Sequence, residues 1–136
     1  MKVIVCLDDK NGMLFNQRRQ SRDREVVKDI IKMCDDAILH MNYYSNPLFE
    51  EYENRAVSDT FPIFAKDNEY VFVENAALLP FEDKISELIV YRWNTVYPSD
   101  LKLDLPLEEN RWVLKSATDF AGHSHDKITK EIYIKP

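Results

Sequence analysis

The 136-residue chain contains only two glycines, Gly12 and Gly122. Loops that cradle phosphate need clustered glycines, where backbone approaches an anion closely or takes positive φ. A Walker loop and a GxGxxG dinucleotide turn are therefore both excluded. Cysteine is equally scarce. Cys6 and Cys34 show no CxxC or ligand-like spacing and fall on a strand and a helix, so reduced core thiols are expected. No apolar run approaches the roughly 20 residues of a membrane helix, and no membrane partner is expected. The opening MKVIVCL runs directly into Asp8 and Asp9 without a small-residue cleavage pattern. It reads as a first strand rather than a signal, with a cytoplasmic location.

Eighteen Lys and Arg stand against 24 Asp and Glu, a net charge of −6. Broad nucleic-acid binding requires clustered cations, so this balance disfavours it for the domain as a whole. There is one local exception. Arg18, Arg19, Arg22 and Arg24 are four of the seven arginines, interrupted only by Gln20, Ser21 and Asp23. With 45% hydrophobic residues, the chain has the length and composition of one domain, residues 1–136, able to close a core unaided.

Val3 to Leu7 is a β-branched apolar run that reads as a central strand buried on both faces. Asp8 to Gly12 follows with turn chemistry, Asn11-Gly12 being suited to positive φ. From Arg22 to Cys34 the apolar residues Val26, Val27, Ile30, Ile31 and Cys34 recur at three and four, which predicts a helix packed on the sheet. Ser21 is its expected N-cap, with Asp23 in the first turn. Ala37–Met41 reads as a second strand, and Asn46-Pro47 opens a short helix to about Glu53. Phe61–Ala65 and Tyr70–Glu74 read as short β-type runs around Lys66-Asp67-Asn68, either a hairpin or two separate strands. Ile85–Trp93 contains a further buried strand, and Leu101, Leu103 and Leu105 alternate in a loop bounded by prolines. Trp112–Ala117 and Ile128–Lys135 close the chain as strands around a polar turn at residues 122–126. The pattern is α/β: a three-layer mixed sheet with a C-terminal antiparallel hairpin.

The two ends of the chain resemble dihydrofolate reductase. KVIVCLDDKNGMLFN is similar to that family's first strand and following loop, with Gly12 at the loop glycine and Phe15 near its tryptophan. A helix then begins around Asp23, where the family keeps its substrate-binding acid. ELIVYRW, Tyr97-Pro98, the Trp112 strand and DFAGHSHDKITKEIYIK resemble its closing strands and long hairpin. The resemblance implies a reduced version of that fold. It also implies a changed function. Where the family has a Gly-Arg pair after the second strand this chain reads Leu39-His40-Met41-Asn42-Tyr43-Tyr44, its Gly-Gly turn is absent, and Tyr91 stands where a strand threonine orients the substrate acid. The middle lacks a strand–helix unit. Nicotinamide-dependent reductase activity is not expected, and no cofactor is. The amino terminus also resembles short bacterial proteins carrying labels such as ribonuclease Z. That label implies a metallo-β-lactamase domain, toward which the chain offers only His123-Ser124-His125-Asp126, so no metal is expected.

The candidate ligand site comprises Asp23, Arg18, Arg19, Arg22, Phe15 and Tyr91. A helix N-terminus beside guanidinium groups suits a small anion, and Asp23 could accept from a donor-rich heterocycle. Against this stands the simpler reading of solvated arginines and a carboxylate complementing the helix dipole. Tyr43, Tyr44, Phe49 and Tyr52 suit core packing, ring stacking or a homodimer interface. The adjacent pairs Asp8-Asp9, Asp35-Asp36 and Glu108-Glu109 are not spaced to converge. No Ser-His-Asp elbow is visible. The leading expectation is a non-reductase that binds a small anionic or heterocyclic ligand near Asp23. The alternatives are RNA binding or processing through Arg18–Arg24 with Tyr43 and Tyr44, and a structural or oligomerising module without ligand.

Overall fold

A computed structural model describes residues 1–107 and 110–136, so Glu108-Glu109 lies outside the described residues. The main sheet has seven strands in the order β5-β4-β6-β1-β7-β10-β9. These are β1 (Lys2–Leu7), β4 (Leu39–Met41), β5 (Arg55–Val57), β6 (Tyr70–Phe72), β7 (Glu87–Arg92), β9 (Val113–Phe120) and β10 (Ile128–Ile134). A small sheet joins β2 (Gly12–Phe15) to β3 (Arg18–Arg19) and β8 (Leu101–Lys102). β1 runs parallel to both of its neighbours, β6 and β7, whereas β10 runs antiparallel to β7 and β9. The sheet is mixed, with the C-terminal hairpin on one side.

The period of two along β1 explains its central place. Val3, Val5 and Leu7 enter one apolar cluster with Val71, Leu88, Val90 and Trp112, while Ile4 enters a second with Ile30, Phe72 and Ile89. Burial of each such side chain is worth about 1.5–3 kcal/mol, so a strand that contributes to two cores ties both layers together. The helix α1 (Arg24–Cys34) covers the second cluster through Val26, Ile30 and Cys34. The first cluster is covered by the turns at Phe61–Phe64 and Leu79–Lys84 and by Leu103, Leu105 and Trp112.

Several expected elements change. The N-cap of α1 is Asp23 rather than Ser21, so the helix starts two residues later than the apolar period suggests. The short helix after Asn46 is a single tight turn, Asn46–Phe49. Phe61–Ala65 is a turn rather than a strand: Pro62 cannot donate to a ladder, and the segment folds over the core instead. Among the described residues α1 is the one α-helix.

Glycine scarcity leaves its mark on the loops. Among the described residues, left-handed backbone falls on Asn11, Asn16, Gln17, Asp35, Asp36, Asn94 and Asn110, and on neither glycine. Asn and Asp tolerate that region because a short polar side chain bonds locally. In the Asn11-Gly12 turn it is therefore Asn11, at φ 62, that takes the positive angle. Gly12 is needed for space: a Cβ there would lie 2.5 Å from Gln20 Nε2 and 2.8 Å from Asp8 Oδ2.

Both thiols are free and buried or half-buried, and burial pushes them up, Cys34 to about 12.

Candidate functional site

The segment Gln20–Asp23 joins β3 to α1 and faces the turn between β9 and β10. Asp23 is 2% exposed and sits where these two elements meet. Its Oδ1 accepts from the N–H groups of Glu25 at 2.9 Å and His123 at 2.8 Å. Oδ2 accepts from the N–H groups of Ser124 at 2.8 Å and His125 at 3.2 Å, and from His125 Nδ1 at 2.9 Å. One carboxylate thus caps α1 and organises the hairpin turn. Burial opposes its charge, but the donors from His123, the His125 ring, Glu25 and Ser124 outweigh it and hold its pKa well below the usual carboxylate range. The expectation that Asp23 offers a free acceptor to a heterocycle is corrected here: its lone pairs are already used.

Gly122 permits this arrangement. A Cβ at that position would stand 2.6 Å from both Asp23 Oδ2 and the His125 carbonyl oxygen. Gly122→Ala should therefore destabilise the protein by about 1–3 kcal/mol, measured by thermal or urea unfolding.

An ionised carboxylate only accepts, so Asp23 fixes the proton of neutral His125 on Nδ1 and leaves Nε2 as an acceptor. Nε2 lies 3.0 Å from Ser21 Oγ and 3.2 Å from the Tyr97 hydroxyl oxygen. The imidazole is stacked on Trp93, with centroids 4.6 Å apart and planes at 24°. Ser21, His125 and Asp23 thus form a continuous hydrogen-bonded chain that sequence reading missed. His125 is 102 residues from Asp23, and no local spacing announces it.

The expected site residues divide between two clefts. Arg22 and Asp23 line one of about 350 Å³, with Arg24, Val27, Lys28, Pro47, Leu48 and Glu51. Phe15, Arg18 and Arg19 line another of about 420 Å³ with Asn16, Gln20, Tyr97 and Pro98. Tyr91 joins neither. It is fully buried, and its hydroxyl donates to Asp29 Oδ2 at 2.5 Å, so it braces α1 against β7 rather than meeting Asp23. Burial, then this carboxylate, push its pKa up.

Arg19 is also committed internally. Its Nε and Nη2 donate to the two oxygens of Glu74 at 2.8 and 3.1 Å, and its guanidinium lies over the Tyr44 ring at 4.5 Å. Ser45 Oγ donates to the same buried carboxylate at 2.8 Å. The aromatic group does not make one stacking surface. Phe49 is buried edge-on to Phe72, Tyr52 donates its hydroxyl to the Ala37 carbonyl, and Tyr43 is exposed. The RNA reading thereby loses Arg19 and Tyr44 as free contacts.

No family model matches the sequence, and no curated protein sequence matches it. In fold, the chain is similar to the dihydrofolate reductase from Enterococcus faecalis complexed with NADP(H) and RAB-propyl. The TM-score is 0.68 over 98% of this chain and 95% of that one, at 8% identity. The chain has a dihydrofolate reductase-like fold. At that identity the likeness is one of fold alone.

Proposed function

We propose that this protein is a binding protein rather than a nicotinamide-dependent reductase, and that it takes a small anionic ligand in the cleft beside the start of α1. The observation that carries the reading is the composition of that cleft. Arg22, Arg24 and Lys28 are exposed around about 350 Å³, against one exposed carboxylate, Glu51. Asp23 stays ionised, but its two oxygens are already engaged by five donors. With three cations against Asp23 and Glu51, the lining keeps one net positive charge on a protein of net charge −6. Guanidinium forks bind phosphate or carboxylate in pairs of hydrogen bonds, and Val27, Pro47 and Leu48 offer an apolar wall to the body of the ligand.

The deeper part of the site argues against a buried ring. The cavity behind the cleft, between Cys6, Ile30, Phe49, Phe72 and Trp93, is about 20 Å³. A pterin-sized heterocycle does not fit there. The reading thus keeps the anion and gives up the heterocycle hydrogen-bonded to Asp23.

Titration calorimetry with inorganic phosphate, phenyl phosphate, folate and a reduced nicotinamide dinucleotide phosphate tests the reading. Phosphate or phenyl phosphate should bind, and Arg22→Ala with Arg24→Ala should weaken binding at least tenfold, about 1.4 kcal/mol. Equal affinity in that variant would overturn the site. Binding of the reduced dinucleotide would overturn the statement that reductase chemistry is lost.

A further inference from the structure

Beyond ligand binding, the geometry points to a second capacity: we propose that Ser21 is an acyl-transfer nucleophile with His125 as its general base, hydrolysing small carboxylic esters. The proposal needs no anion in the arginine cleft.

Five observations carry it. Ser21 Oγ, His125 Nε2, His125 Nδ1 and Asp23 Oδ2 are linked in order, at 3.0 Å and then 2.9 Å. Nucleophile, base and orienting carboxylate are thereby joined in the sequence that acyl transfer uses on unrelated folds, where the set is recognised by geometry rather than by chain order. The orienting group is fixed, since the four backbone N–H donors on Asp23 hold it in place. The ring is also fixed, by its stacking on Trp93.

Ser21 is half-buried rather than sealed. It lines the cavity of about 20 Å³ that shares Arg22, Asp23, Val27 and Leu48 with the larger cleft. In this proposal the substrate approaches Oγ from that cleft. The narrowness beside Ser21 restricts the acyl group to a short one. The Arg22 N–H, next to the nucleophile, donates to no other protein group among the described residues and supplies an oxyanion donor.

The chemistry balances with ester and water alone. Oγ attacks the carbonyl carbon, forming the Oγ–C bond while its proton passes to Nε2. The tetrahedral oxyanion collapses, the C–O bond to the alcohol breaks, and the Nε2 proton goes to the departing oxygen. Water, deprotonated by His125, then cleaves the acyl-serine to a carboxylic acid and regenerates the hydroxyl. Asp23 is a positioning residue throughout: it holds the tautomer and does not touch substrate. Tyr97 shares Nε2 with Ser21 at the longer distance and is a competitor for the base.

The full chain is tested with p-nitrophenyl acetate and, separately, with diisopropyl fluorophosphate followed by peptide mass mapping. The expected result is p-nitrophenol release above buffer and one phosphoryl adduct, on Ser21. Ser21→Ala, with an unchanged unfolding midpoint, should abolish both and leave phosphate binding intact. Tyr97→Phe should keep the adduct, and His125→Gln should slow its formation about 10²–10⁴-fold. Since His125 also helps hold the hairpin, Ser21→Ala and the adduct's position carry the decision. No adduct, an adduct elsewhere, or ester hydrolysis unchanged in Ser21→Ala would overturn the proposal.

Discussion

Replacing Asp23 with asparagine is expected to destabilise the protein by about 3–5 kcal/mol, since two or more buried N–H donors lose their acceptor at about 1–3 kcal/mol each. The amide would bring two donors into a site where five already converge. Its single carbonyl oxygen cannot serve them all. The helix would lose its N-cap and the β9–β10 turn its anchor in one step, so the effect should exceed the ~1 kcal/mol of an ordinary cap. The pH dependence has a definite sign. The folded pKa of Asp23 is depressed, so its stabilisation is full above the ordinary aspartate value of about 3.9 and is lost as pH falls toward the folded value. Urea unfolding followed by circular dichroism should show wild-type stability falling below about pH 4 with a component that Asp23→Asn lacks.

Glu74→Ala should rank beside it, at about 3–5 kcal/mol, the range for removing one partner from a buried charge pair. The carboxylate is 8% exposed and satisfies both the Arg19 guanidinium and Ser45. Without it, Arg19 keeps its charge in a half-buried place over Tyr44, and the carboxylate bridge from β3 to Ser45 in the loop after β4 is lost. Arg19→Ala in the same background should restore part of the loss, because the stranded cation is gone. A double-mutant cycle read by urea unfolding measures that coupling, expected at about 1–3 kcal/mol.

Those two carboxylates mark the limit of what the chain discloses in linear form. α1 and β10 are legible because their apolar residues repeat at 3.6 and at two, and β1 and β7 because they are unbroken apolar runs that must be buried on both faces. β2, β3 and β5 carry no such repeat. They are two to four residues long and exist through pairing, β3 with the adjacent β2, β5 with β4, and β2 also with a distant segment, as Gly12 does with Lys102. Phe61–Phe64 has strand composition, yet Pro62 and the need to cover a core face turn it into a tight bend. At the site, the cluster of Asp23 with its arginines is visible as composition. Its meaning is not, since the partners of Asp23 lie at residues 123–125 and the partner of Arg19 at residue 74. The two glycines follow the same rule: they were legible as an absence of phosphate loops, whereas their use is to leave room beside Asp8 and Asp23.

The central claim is that the acid at the head of α1 serves the fold instead of a ligand. Carbon-detected nuclear magnetic resonance of the Asp23 carboxyl, followed from neutral pH downward with and without phenyl phosphate, tests it most directly. The account predicts a resonance that stays in its ionised position well below the ordinary aspartate value of about 3.9 and does not shift when the anion binds. Titration at or above about pH 4, or a large shift on adding the anion, would contradict it.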